Sequence, residues 1–239
     1  MTTTQKDIFI RNIFTITAPH LDFLTSLFSF GICHIWRRKA VSLSGIKADD
    51  KILDICTGTG DMAVPLIRKI GPQGSLTGID FCENMLELAR EKVKKRMNRR
   101  PKNVSFALCD AKEILYPDNS FDLATVGFGM RNIPDTTAAL KEVKRVLKPG
   151  GRFVCLELTR PYSKWFLPFY SWYVFKVMPF ISKFFMKTTA PYSYLPDSIE
   201  TFYPPGEFTR VIRHCGFTNV QVHPMSLGIA TVFTAVKSS

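Results

Sequence analysis

The chain has 239 residues, 46% of them hydrophobic, and a formal net charge of +12 at pH 7. That length can bury one sizeable core, and six well-separated cysteines without a C-x-x-C pair point to a reducing compartment and to no structural metal. The basic excess favours an anionic neighbour, either nucleic acid or a membrane headgroup layer, and does not by itself choose between them.

The N-terminal stretch MTTTQKDIFIRNIF lacks a charged start followed by an apolar run and a cleavage site. Neither a signal peptide nor a membrane anchor is expected there, and the cytoplasm is the expected location. Residues 1–50 precede the first expected strand and read as a helical cap. From Lys51 onward short β-rich runs alternate with helical patterns, which predicts an α/β fold with a mostly parallel sheet wrapped by helices. The expected strands are Lys51–Cys56, Ser75–Asp80, Val104–Asp110, Phe121–Phe128, Gly151–Leu158, Asn219–His223 and Thr231–Val236.

Between these strands CENMLELAREKVKKRM places Met85, Leu88, Ala89 and Val93 at helical spacing. DTTAALKEVKRVLKPGG ends in a basic turn followed by Pro149 and two glycines, a helix stop. Pro65 lies just past the first strand, where a helix start tolerates it; deeper in a helix it would cost about 3 kcal/mol. That helix is therefore expected to begin only a few residues before Pro65. The basic run Lys92–Lys102 reads as a solvated helix end and loop.

Residues 161–200 interrupt the alternation. The aromatic stretch Pro161–Lys187 is broken by Pro168, Lys176, Pro179 and Lys183, so it lacks the ~20 uninterrupted apolar residues of a spanning helix. It reads as a helical lid, or as a surface that dips into lipid through Trp165, Phe166, Phe169, Trp172, Tyr173 and Phe175. With no linker and no internal repeat, the chain is expected to be a single domain, 1–239.

The stretch KILDICTGTGDMAV carries Gly58-Thr59-Gly60-Asp61-Met62-Ala63, which fits the G-x-G-x-x-A dinucleotide fingerprint. Asp61 would repel a pyrophosphate, and the turn has no P-loop lysine, so a phosphate ligand is disfavoured. Asp54, Asp80 and Asp110 fall at or near the carboxyl ends of the first three strands, where ligands bind in doubly wound sheets. An acidic crevice suits hydroxyls, amino groups and a positive centre, all of which S-adenosylmethionine has. Asp80 is placed for both ribose hydroxyls and Asp110 for the adenine amino group. Gly58 and Gly60 let the backbone approach, and Thr59 would sit beside the amino-acid end. Two alternatives stay open: a strand-terminal Asp can simply cap a helix, and a nicotinamide cofactor would also use an acid at Asp80.

The segments ILDICTGTGD, GIDFCENML, YPDNSFDLATVGFGMRNIPD and RVLKPGGRFVCLELTRP together resemble the ubiquinone/menaquinone biosynthesis C-methyltransferases, a branch of the class I S-adenosylmethionine-dependent enzymes. LFSFGICHIWRR and YSYLPDSIETFYPPGEFTRVIRHCGF extend the similarity over most of the chain, and FGMRN is its most specific motif. The resemblance implies a Rossmann-like sheet of seven strands with helices on both faces and a C-terminal antiparallel hairpin strand. It implies donor contacts from Thr59, Asp80, Asp110 and Ala111. Gly127 stands where the family often has serine, and Leu21-Asp22-Phe23-Leu24-Thr25 stands where Tyr-Asp-x-x-Asn is expected.

The implied reaction is methylation of a ring carbon of a prenylated quinol, with demethylmenaquinol to menaquinol first in line and another lipid or RNA as the alternative acceptor. Arg131 is the candidate catalytic residue, placed to favour a phenolate, with Asn132 beside it on the acceptor side. Arg131 could instead be a structural ion-pair partner. His20 and His34 are candidate bases. No triad or metal cluster competes. Expected partners are the quinol and, peripherally, an anionic membrane at the inner face of the cytoplasmic membrane; a homodimer is allowed. A nucleic-acid partner is not expected, because the fourth strand is followed by neither an Asn-Pro-Pro-Tyr-like nor a Pro-Cys motif.

Overall fold

The computed structural model describes residues 3–97, 103–184 and 190–238. Seven strands form one sheet: β1 (Lys51–Ile55), β2 (Ser75–Asp80), β3 (Val104–Leu108), β4 (Phe121–Gly127), β5 (Leu147–Leu158), β6 (Phe217–Met225) and β7 (Ala230–Lys237). Their order is β3-β2-β1-β4-β5-β7-β6. The first five strands pair in parallel, whereas β7 runs antiparallel to β5 and to β6. The chain winds outward from β1 in one direction and then, from β4, in the other. A crevice therefore opens between the carboxyl ends of β1 and β4, where nothing crosses over.

Four helices precede β2: α1 (Thr3–Thr17), α2 (Leu21–Phe28), α3 (Ile32–Leu43) and α4 (Ala63–Ile67). Pro65 is the third residue of α4, where an N–H would have no intrahelical acceptor anyway, so the short helix tolerates it. After β2, α5 (Glu83–Arg96) buries Met85, Leu86, Ala89 and Val93. Leu86 sits on the core side where Leu88 was expected, and Leu88 packs half-buried against Ala18, Cys82 and Met85. α6 (Thr136–Val146) starts at Asp135, whose carboxylate accepts the N–H of Ala138 at 2.9 Å. The Pro149–Gly151 stop that ends it forms a bulge inside β5: Leu147 already pairs with Phe121 before the ladder resumes at Arg152.

Helices cover both faces. Trp36 and Ala40 of α3, Leu66 of α4 and Ala89 of α5 pack on one side of β1, β2 and β4, while Leu140 of α6 packs on the other. Two elements stand above the carboxyl edge of this sandwich. One is the cap α1–α3. The other runs from α7 (Leu167–Trp172) through a π-helical turn, Tyr173–Val177, into α8 (Met178–Ser182), and is followed by α9 (Ala190–Thr201). α10 (Pro205–His214) then returns to the sheet and buries Phe208 and Ile212 with α6. Cap and lid touch: the Tyr173 hydroxyl donates to the Phe28 carbonyl at 3.0 Å, and the rings of Phe9 and Tyr194 meet edge to face. Residues 98–102 of the expected basic run and 185–187 of the aromatic stretch, Lys187 among them, lie outside the described residues. No helix among the described residues is long and apolar enough to cross a membrane.

Candidate functional site

The two central strands end in strained backbone. Cys56 after β1 has φ +52° and Phe128 after β4 has φ +62°, both in the left-handed region that non-glycine residues rarely adopt. Such conformations cost about 1–3 kcal/mol each and cluster at sites where surrounding contacts hold them. The strand ends are also close together, since a Cβ on Gly129 would collide with the Cys56 side chain.

The glycines of the turn divide their work. Gly58, at φ +54°, would bring a Cβ near only the Cys56 carbonyl oxygen at 4.0 Å, and it lines a cavity of about 630 Å³ above the crevice. Gly60, at φ +83°, is not on that lining; a Cβ there would lie 3.2 Å from the Ala89 Cβ, so its bare backbone lets α5 close on the turn. Thr59, Asp80, Asp110, Ala111, Arg131 and Asn132 do line the cavity. The expected site residues, Gly60 apart, are thus gathered around one space whose size falls in the range of sites that enclose small ligands.

The three strand-end acids are not equivalent. Asp54 is fully buried beneath the cavity and does not line it; its carboxylate accepts the hydroxyls of Thr57 at 2.6 Å and Thr125 at 2.7 Å. Burial raises its pKa to about 6 against those two hydrogen bonds. Asp54 therefore braces the turn, and the crevice is less acidic than three converging carboxylates would make it. Asp80 faces the cavity but accepts the backbone N–H of Gly58 at 2.9 Å and of Cys82 at 3.0 Å. Burial again outweighs these bonds and raises its pKa to about 6. Asp110 sits at the mouth, half-exposed, accepting the Lys112 N–H at 2.8 Å.

Asp61 does not stand as a bare charge. Although burial pushes its pKa up, Arg37 and Lys92 outweigh it and hold the carboxyl below its usual range. Its oxygens lie 3.0 Å from Arg37 Nη2 and 2.5 Å from Lys92 Nζ. The repulsion of pyrophosphate expected from Asp61 is thus largely cancelled, and that ground for excluding a phosphate ligand fails. Lys92, expected to be solvated, is instead a half-buried clasp: Nζ also reaches Asp22 of α2 at 2.6 Å and donates to the Thr59 hydroxyl at 2.9 Å. The Thr59 hydroxyl in turn donates to Asp22 at 2.5 Å.

Arg131 follows β4 with its side chain 9% exposed, and Nη1 is 2.6 Å from Oε1 of the fully buried Glu157. Glu157 also accepts the Arg131 backbone N–H at 3.0 Å and that of Leu158 at 2.8 Å. Arg131 Nε donates to the Ser198 hydroxyl of α9 at 3.2 Å. The ion-pair role allowed for Arg131 is therefore present, and it coexists with a place on the cavity wall. Asn132 accepts the Tyr194 hydroxyl at 2.9 Å. Burial raises Tyr170 and Tyr194 to about 12, so both stay neutral phenols beside Arg131. His20 and His34 are exposed and off the lining, and His34 is bonded to Ser26 at 2.8 Å, which removes both as bases acting in the cavity. Among the described residues no group of His, Cys, Asp and Glu could hold a metal.

Above these polar groups the wall turns apolar, with Leu24 and Phe28 of the cap and Val174, Met178 and Ile199 of the lid. Of the aromatics expected on the outer face, Phe166, Phe169 and Tyr173 also line the cavity. Trp165, Phe169, Trp172 and Phe175 are exposed at 78%, 64%, 56% and 42%, and Phe30 at the tip of the cap joins them at 79%.

Sequence reasoning missed Arg37, Lys92, Glu157, Tyr170 and Tyr194. Glu157 left a local signal, an acid inside the apolar run FVCLEL.

Residues 1–237 match the ubiE/COQ5 methyltransferase family. The chain is 42% identical over 234 residues to the ubiquinone/menaquinone biosynthesis C-methyltransferase UbiE of Geotalea daltonii, covering 98% of each chain. It is 39% identical to a demethylmenaquinone methyltransferase of Staphylococcus aureus over 228 residues, 95% of this chain and 92% of that one. Among solved structures, a SAM-dependent methyltransferase from Aquifex aeolicus superposes with a TM-score of 0.65 at 21% identity, covering 90% of this chain and 97% of that one. Phosphoethanolamine N-methyltransferase 2 of Haemonchus contortus, in complex with S-adenosyl-L-methionine, reaches 0.61 at 20% identity over 85% of this chain and 52% of that one.

Proposed function

The chain belongs to the ubiE/COQ5 methyltransferase family, and from that premise we propose that its acceptor is a prenylated naphthoquinol, demethylmenaquinol, converted to menaquinol. It is an S-adenosylmethionine-dependent methyltransferase acting by C-methylation in quinone biosynthesis. The observation that carries the acceptor is the continuity of one cavity, polar at the strand ends and apolar between cap and lid, as a ring with a hydrocarbon tail requires.

The chain's residues fit the donor. Gly58 leaves room for close approach, Asp80 presents a carboxylate at the end of β2, and Ala111 is on the cavity lining. In this assignment Asp80 takes the ribose hydroxyls, Asp110 and Ala111 the adenine, and Thr59 with Gly58 the amino-acid end, while Gly60 acts through packing. The donor, when bound, supplies an electrophilic methyl group on sulfur. Arg131 and Asn132 then face the acceptor hydroxyl. An aromatic carbon beside a hydroxyl becomes nucleophilic as that proton leaves, and a guanidinium stays charged at any working pH. Because Glu157 balances that charge, Arg131 offers directed N–H donors more than net charge. The apolar wall keeps water from the aligned groups.

The chain is proposed to act as one unit, 1–239, with 1–50 as cap and 161–200 as lid. The exposed aromatic rim and Lys164, Lys176 and Lys183 support peripheral contact with an anionic membrane, which is where a polyprenyl quinol resides. The direct test supplies labelled S-adenosylmethionine with demethylmenaquinol, a demethylated benzoquinol or a short RNA, and reads methylated product by mass spectrometry. Product from the naphthoquinol is expected; product only from the benzoquinol or the RNA would overturn the assignment.

A further inference from the structure

Arg37 is a cation whose partners account for only part of it. It lies on α3 with 10% of its side chain exposed, Nη2 sits 3.0 Å from Asp61, and its guanidinium carbon lies 5.4 Å over the Phe128 ring. Nη1 is buried and has no hydrogen-bond partner among the described residues. A guanidinium cannot shed its charge to escape this, and a buried charged donor left without an acceptor is costly. The same side chain lines the cavity, on the wall that also holds Gly58, Thr59 and Asp61.

We propose that Arg37 Nη1 binds the α-carboxylate of the methyl donor. This rests on the donor occupying the carboxyl ends of β1 and β2, as assigned above. The chemistry matches on three counts. A carboxylate is the planar anion that a guanidinium fork accommodates, and the pairing is charge-assisted in a site with little water. Asp61 and Phe128 hold the fork in place beforehand, so little side-chain freedom is lost on binding. Around Thr59 the charges of Arg37, Lys92, Asp22 and Asp61 already cancel, so the site is set for a zwitterion that adds no net charge.

The test uses binding rather than turnover. Calorimetry of the full chain compares S-adenosylmethionine with its decarboxylated analogue, which differs only in the carboxylate. Wild type should prefer the carboxylated donor by about 30-fold, or about 2 kcal/mol at 1.4 kcal/mol per tenfold. Arg37→Met should weaken S-adenosylmethionine by about that factor and leave the analogue within threefold, erasing the preference, while Arg37→Lys should keep part of it. Retained affinity for the analogue also reports that the variant is folded. A preference that survives in Arg37→Met, or equal loss for both ligands in Arg37→Met and Arg37→Lys alike, would overturn the assignment to Nη1. A wild-type protein that binds neither ligand would overturn the donor site itself.

Discussion

Replacing Glu157 with glutamine should unfold the protein far more readily than any surface change, although the two side chains have the same shape. Glu157 is fully buried and accepts three N–H groups, Arg131 Nη1 and Leu158 N on one oxygen and Arg131 N on the other. A glutamine oxygen can keep the first two, but its amide nitrogen then faces the third donor, and Arg131 is left as an uncompensated cation at 9% exposure. One orphaned N–H costs about 1–3 kcal/mol, and breaking a buried pair costs about 3–5 kcal/mol in all. At about 2–4 °C per kcal/mol for a chain of this size, the melting temperature should fall by about 6–20 °C. Urea unfolding should report the same loss with an unchanged slope. In a double-mutant cycle with Arg131→Met, the two losses should fall short of additivity by more than about 1 kcal/mol. A loss below about 1 kcal/mol in Glu157→Gln, or strict additivity, would refute the claim that this pair is mutually dependent.

Arg131→Lys should lower turnover at least tenfold with donor affinity within threefold of wild type, since lysine cannot reproduce the fork; loss of donor affinity with turnover intact would reverse the role. Asp80 must be ionised to accept ribose hydroxyls, so with a pKa raised to about 6 the affinity for S-adenosylhomocysteine should fall as pH drops below that value. Calorimetry on Asp80→Asn should show weak binding without that slope, and a wild-type profile flat from pH 5 to about 7 would contradict it. Asp80→Ala should abolish donor binding, and because Asp80 also ties Gly58 and Cys82, it should loosen the glycine turn as well. For Asp54 the folded pKa of about 6 lies above the unfolded 3.8, so its stabilisation is complete below 3.8 and is lost as pH rises through 6. That loss is about 3 kcal/mol at 1.36 kcal/mol per unit, and the difference in unfolding free energy between wild type and Asp54→Asn should shrink by that order from pH 4 to about 7. Vesicle sedimentation should show binding to anionic lipid that weakens with salt and with Trp165→Ser or Phe169→Ser; indifference to all three would leave the aromatic segment as a lid only.

What the sequence determined by itself was the succession of backbone states. Apolar periodicity, the Gly58–Gly60 turn and the Pro149–Gly151 stop each act within a few residues, so strand, turn and helix could be read in order and the doubly wound sheet followed. The two candidate histidine bases, His20 and His34, are exposed and off the cavity lining, and spacing along the chain does not tell whether a side chain faces solvent or cavity. Charge partnerships lay beyond it. Asp61 meets Arg37 and Lys92, and Arg131 meets Glu157, only because the order β3-β2-β1-β4-β5-β7-β6 brings α3, the glycine turn and α5 to one edge and sets β5 beside the end of β4. Pairing of this kind depends on distances across the sheet and on the water excluded there, which set both where a carboxylate is neutralised and how far its pKa moves. Asp54 and Asp80 look alike along the chain; only the tertiary structure sinks one beneath the cavity and turns the other toward it.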